Sequence, residues 1–110
     1  MGRELREDER NLIAALLRDT PYIELVSNLE TCPVEDMQDG GMGSIRLLNS
    51  DERRHVGDVI AEAQYTDADG VLVIIALNTD SSGRLYEVDF WKVDFSPLRR
   101  YPSPSDLRIK

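Results

Sequence analysis

The chain is poor in the residues that build covalent or metal-centred sites. Its 110 residues include one cysteine, Cys32, and one histidine, His55. A single thiol excludes an internal disulfide, and one thiol with one imidazole falls short of the cluster a zinc site requires. Single copies also carry no sign of a Cys–His nucleophilic pair; Cys32 beside Pro33 reads as a small, half-buried residue at a helix end. No apolar run approaches the ~20 residues of a membrane span, and the polar, acidic start Met1–Arg10 lacks the pattern of a secretory signal. Cytoplasmic residence is therefore expected. Positive charge is scarce as well: 13 Lys and Arg stand against 21 Asp and Glu, a net −8. Such a surface repels polyanions, so neither nucleic acid nor membrane is expected as a partner. It favours solubility and would steer a basic or mixed-charge protein toward the chain.

The length suits one domain with its own core. Charge is uneven along it, because residues 99–110 hold Arg99, Arg100, Arg108 and Lys110 against Asp106. That net +3 leaves −11 on residues 1–98, which read as a single domain. The basic, Pro- and Ser-containing tail 99–110 reads as extended or disordered.

Residues 4–18 predict an amphipathic helix with Leu5, Leu12, Ile13, Leu16 and Leu17 on one stripe. Thr20-Pro21 starts a second helix that carries Tyr22, Leu25, Val26 and Leu29 to about Glu30 before Cys32-Pro33 ends it. The periodicity then changes to that of strands: Val34–Met37, Ser44–Leu48, His55–Tyr65, Val71–Leu77 and a last one beginning at Leu85. Residues 55–65 satisfy helix and strand patterns alike. The strand is preferred because Thr66–Gly70 makes a hairpin turn into Val71. Asn49–Glu52 reads as a turn. The expected fold is α+β, with two N-terminal helices packed on one face of an antiparallel meander of about five strands.

The most informative segment is Leu85-Tyr-Glu-Val-Asp-Phe-Trp-Lys-Val-Asp-Phe95, a strict two-residue alternation. Leu85, Glu87, Asp89, Trp91 and Val93 share one side, while Tyr86, Val88, Phe90 and Lys92 share the other and read as core. Pairing Thr79 with Arg84 sets Leu77, Ile75 and Val73 across from Tyr86, Val88 and Phe90. On the other face Ala76, Ile74 and Leu72 would then meet Glu87, Asp89 and Trp91. A one-residue slip would exchange the faces.

Glu87 and Asp89 stand roughly 6–7 Å apart along such a strand, close enough to share a cation or to act as acid and base on a small substrate. No third catalytic group can be placed beside them. Solvated acids, or acids paired with Arg46 and Lys92, outweigh catalysis. Asp67-Ala68-Asp69-Gly70 has part of a calcium-loop pattern, but Tyr65 and Ala76 occupy positions that need acids, so a hairpin turn is the better reading. Asp39-Gly-Gly-Met-Gly-Ser44 lacks the Lys of a phosphate-binding loop, and Arg46 stands where a dinucleotide fingerprint needs Gly. Neither a metal nor a cofactor is expected.

Two of these segments, Asp39–Ser44 and Leu85–Leu98, resemble the signatures of a small uncharacterised family of bacterial single-domain proteins. The Asp67–Gly70 turn fits the same pattern, so the likeness spans most of residues 35–98. The resemblance implies a bacterial origin and a domain of unknown function, with no catalytic residue to carry over. Small acidic bacterial proteins of this kind often look like immunity proteins, which neutralise a toxin by docking on it.

Taken together, these observations lead to a non-enzymatic acidic protein-binding module, with an immunity-type inhibitor of a basic toxin as its sharpest form. Glu87, Asp89 and Trp91 form the expected centre of the binding face, with Asp67, Asp69 and Met42 at its periphery. The competing reading is a small-substrate enzyme or metal-binding protein using Glu87 and Asp89. The same face could also join two copies, so monomer and homodimer both remain open.

Overall fold

A computed structural model describes residues 2–38, 40–48 and 56–110 of the chain. His55, Asp39 and the turn expected at Asn49–Glu52 lie outside the described residues.

Among the described residues one α-helix forms, α1 (Glu7–Leu17), later than the apolar stripe suggested. The delay has a cause: Arg3 is drawn into the sheet, exchanging two 2.7 Å backbone hydrogen bonds with Val34. The helix opens where the Arg6 amide donates to the Glu9 carboxylate at 2.8 Å, satisfying one of the free N–H groups of the first turn. The second expected α-helix is instead a 3-10 segment, Ile23–Thr31. Its Ile23, Val26, Ser27, Asn28 and Thr31 are weak helix formers, and the Ser27 hydroxyl bonds the Glu24 carbonyl. Each turn thus closes one residue earlier, as in Leu25 N–H to the Tyr22 carbonyl, 2.9 Å.

Among the described residues six strands, one more than expected, make a single antiparallel sheet: β1 (Val34–Asp36), β2 (Ile45–Leu47), β3 (Val56–Thr66), β4 (Leu72–Asp80), β5 (Leu85–Lys92) and β6 (Arg108–Ile109). The spatial order is β1-β2-β5-β4-β3-β6. β3, β4 and β5 form a meander, and the β1–β2 hairpin docks on β5 through Ile45↔Val88 and Arg46↔Glu87. The sixth strand comes from the basic tail, whose Arg108 and Ile109 pair with Gln64 and Ala63. A short 3-10 turn, Pro104–Asp106, precedes it.

The core lies between the inner sheet face and α1. Leu12, Ile13, Leu16 and Leu17 of the helix meet Ile45, Leu47, Tyr65, Val73, Ile75, Leu77, Val88 and Phe90, all essentially inaccessible to water. At about 1.5–3 kcal/mol for each fully buried large side chain, this layer is the main stabilising term. Beside it the buried Glu9 carboxylate is gripped by Arg3 (2.9 and 2.8 Å), which reaches on to Asp36 on the edge strand. Burial would raise the Glu9 pKa, but the Arg3 guanidinium outweighs it and holds the carboxyl below its usual value.

The β4–β5 register differs from the expected one by two residues. Leu77, Ile75 and Val73 face Val88, Phe90 and Lys92, because Thr79 pairs with Leu85 in place of Arg84 and an irregularity between Asn78 and Thr79 shifts the register by one residue more. A shift of two keeps Glu87, Asp89 and Trp91 on their expected face. The irregularity turns Leu85 into the core cluster, away from the Glu87 side where the alternation had placed it, and leaves Tyr86 half-buried.

Candidate interaction face

Alternation from Glu87 to Lys92 works as the sequence implies. Val88, Phe90 and Lys92 point into the core, and Glu87, Asp89 and Trp91 point to the opposite side of the sheet. α1 packs on the first side, and no described helix crosses the second. Trp91 is 48% exposed there, opposite the half-buried Ile74. Asp89 is exposed and faces Ala76, with the Ser44 hydroxyl 3.3 Å from its carboxylate. Glu87 is half-buried: it accepts from the Asn78 amide at 3.0 Å and lies 3.9 Å from the Arg46 guanidinium. Arg46 in turn lies over the Tyr86 ring, 5.4 Å from its centre.

The expected pairing of these acids with Arg46 and Lys92 therefore holds loosely for Arg46 and not for Lys92. Lys92 is fully buried, and its ammonium meets three acceptors: Asp69 at 2.6 Å, Asp67 at 2.9 Å and the Pro97 carbonyl at 3.0 Å. Asp67 is also inaccessible. Besides Lys92 its two oxygens accept the backbone amides of Ala68 (2.7 Å), Arg99 (2.8 Å) and Arg100 (2.9 Å). Burial pushes the Asp67 carboxyl up, yet the Arg99 amide, Lys92 and the other donors pull it down to about 2. For Lys92 burial acts downward, and the carboxylates of Asp69 and Asp67 overcome it to raise the ammonium above its usual value.

The six candidate residues thus fall into two groups. Glu87, Asp89 and Trp91 stand together on the open face. Asp67 and Asp69 sit at the end of the sheet, holding the buried lysine and the start of the tail. Met42 lies at that same end, its sulfur 3.3 Å from the Lys92 amide.

This end is also where the loop at residues 41–44 meets the end of β5 and the Pro97–Leu98 segment. The Leu98 amide bonds the Gly41 carbonyl at 3.0 Å, and the Ser44 hydroxyl accepts the Phe90 amide at 2.8 Å. Gly43 has φ +102°, and a Cβ there would stand 2.7 Å from Leu98. The glycine loop is thus a clasp for the Pro97–Leu98 segment. The cavity beside it, lined by Asp36, Met37, Gly41, Gly43 and Ser44, holds about 230 Å³. That is smaller than the roughly 300–1,000 Å³ of most small-molecule sites. No three His, Cys, Asp or Glu side chains gather as a metal would need among the described residues.

One contributor to the open face was not singled out from sequence. β5 ends at Lys92, and a turn closed by the Phe95 amide on the Lys92 carbonyl (2.8 Å) brings Phe95 back beside Trp91, ring centres 6.4 Å apart. Phe95 is 69% exposed and has φ +64°. The alternation that places Trp91 and Val93 on this side already assigns Phe95 to it. The turn that delivers it has no local glycine signal.

The architecture and the face define a small acidic α+β domain with one sheet surface that no helix covers among the described residues. Comparison with known families gives the same level of description: the chain belongs to the family Domain of unknown function (DUF6984), whose model matches residues 2–102. No curated protein and no solved structure matches the chain.

Proposed function

We propose that this domain is a protein-binding module whose open sheet face docks a basic or mixed-charge protein. The observation that carries the reading is the Trp91–Phe95 pair. Two aromatic side chains in a chain with few aromatics lie exposed together, and one of them occupies a left-handed backbone conformation. For a bulky L-residue that conformation costs about 1–2 kcal/mol relative to the right-handed one. The ring recovers little of it by burial within this chain, so the strain is best explained by a role outside it. Half-buried Ile74 and Leu72 extend the apolar surface, and Asp89 and Glu87 border it. Aromatic burial would supply affinity and the acids would supply encounter rate and orientation.

A net charge of −8 favours a basic partner. Neutralisation of a basic toxin in the cytoplasm is the most specific form of this proposal. The test is affinity capture from the source cell lysate with four proteins: wild type, Trp91→Ala/Phe95→Ala, Asp89→Lys, and Tyr22→Ala as an exposed control away from the face. A partner retained by wild type and Tyr22→Ala and lost by both face variants supports the reading. Identical partner lists for all four overturn it.

A further inference from the structure

We propose that the outer edge of β3 is a docking site for an extended peptide of basic–apolar–basic pattern, and that residues 108–110 occupy this site in cis. The proposal concerns the sheet edge and is independent of the reading given to the open face. β4 pairs β3 along nearly all its length, from Val56↔Asp80 to Thr66↔Leu72. On its other side β3 meets Arg108 and Ile109, and the Lys110 amide donates to the Glu62 carbonyl at 3.0 Å.

Both register irregularities of β3 lie between Val56 and Ala61. Ala61–Thr66 is therefore a regular edge that β6 fills only in part. Its outward backbone groups belong to Glu62, Gln64 and Thr66; β6 engages the first two, and a longer strand could add Thr66, the geometry of strand addition. The irregular half lacks the even register that indefinite edge-to-edge growth requires.

Three observations say that the present occupant is replaceable and what should replace it. Arg108 and Ile109 are both exposed, so β6 buries no side chain to anchor it. The family match covers residues 2–102, so β6 lies outside the matched stretch while β3 lies within it. The chemistry of the cis occupant is complementary to the strand it lies on: Lys110 reaches Glu62 at 3.3 Å, and Arg108 and Lys110 flank the apolar Ile109. A partner strand with that pattern would make the same contacts and extend them. The tethered tail competes at an effective concentration in the millimolar range, and its release exposes the site.

The probe is a fluorescently labelled synthetic peptide, Ser-Asp-Leu-Arg-Ile-Lys, measured by anisotropy against the full chain and against Arg108→Pro/Lys110→Pro. The prolines remove the amides on the side of β6 that faces β3. The variant, shown folded by circular dichroism, should bind the peptide at least ~10-fold more tightly than wild type. Adding Glu62→Lys should reverse the gain, and a peptide with Glu in place of Arg and Lys should not bind. Equal affinity for wild type and the folded variant, or no binding to the variant, overturns the proposal. Should the prolines unfold the chain, amide exchange in wild type decides. The Lys110 amide should exchange at least ~100-fold faster than the β3–β4 ladder, and equal protection would mean that β6 is a permanent strand.

Discussion

Replacing Asp67 by Asn separates the electrostatic role of the sheet-end cluster from its shape. The side chain keeps its volume, and Oδ1 still accepts the Ala68 and Arg100 amides at 2.7 and 2.9 Å. Oδ2 becomes an NH2 group facing two donors, the Arg99 amide at 2.8 Å and the Lys92 ammonium at 2.9 Å. Two buried donors lose an acceptor, and each such loss costs about 1–3 kcal/mol. The expected destabilisation is about 2–5 kcal/mol, in the range found when one partner of a buried ion pair is removed. For a domain of this size that corresponds to a melting temperature lower by roughly 10–30 °C. Thermal and urea unfolding measure it, and exchange of the Arg99 and Arg100 amides locates it.

The pH dependence follows with a definite sign. The Asp67 carboxyl titrates at about 2 in the folded protein and near 3.9 when unfolded. The stability it confers is complete above pH 4 and is lost as pH falls from about 4 toward 2. Asp67→Asn should flatten that acid limb. A loss below about 1 kcal/mol with an unchanged acid limb would refute the assignment of Asp67 as the charge that holds Lys92 and the tail.

Trp91→Ala should cost only about 1 kcal/mol, chiefly its ring contact with Phe95, whereas its neighbour Phe90→Ala should cost about 3–5 kcal/mol; comparable losses by urea unfolding would mean that the Trp91 face is covered. Gly57→Ala should destabilise by about 1–3 kcal/mol through overpacking, because its Cβ would stand 2.8 Å from the Asp80 carbonyl carbon and nearer still to the oxygen. A gain in melting temperature would contradict that close approach. Gly70→Ala, with φ +82° and nothing within 4 Å, tests backbone strain alone and should cost about 1–2 kcal/mol. Sedimentation should report a monomer at all concentrations; a dimer abolished by Trp91→Ala would reassign the open face to self-association.

Much of the candidate face was legible because a strand's side-chain period is short and strict. Glu87, Asp89 and Trp91 needed only the pleat to share a side, and the two-residue error in register left that intact. The same pattern placed Lys92 among core positions, a signal that a buried cation needed buried acids. Asp67 and Asp69, two residues apart in the preceding hairpin, were its natural partners. Their distance along the chain hid the pairing, since nothing local links residue 67 to residue 92. The 3-10 geometry of Ile23–Thr31 was missed because an apolar stripe reports which face is buried and hardly distinguishes a tight helix from an α-helix in two turns. β6 is two residues long and follows two prolines, so it lacks the length from which alternation can be read. Phe95 escaped notice because its turn places a non-glycine residue where glycine is the rule.

The order in which the strands sit has a bearing on how the molecule assembles. β2 pairs with a segment 43 positions further along the chain, Ile45 with Val88, while β3, β4 and β5 are joined by short turns. Closing the longer loop loses more chain entropy, so the three-stranded ribbon should nucleate first and the β1–β2 hairpin should zip on late. During synthesis the early residues must wait until β5 has left the ribosome. The edge of β5 that later receives β2 is bare during that interval, and there a nascent chain of this sequence is most exposed to mispairing.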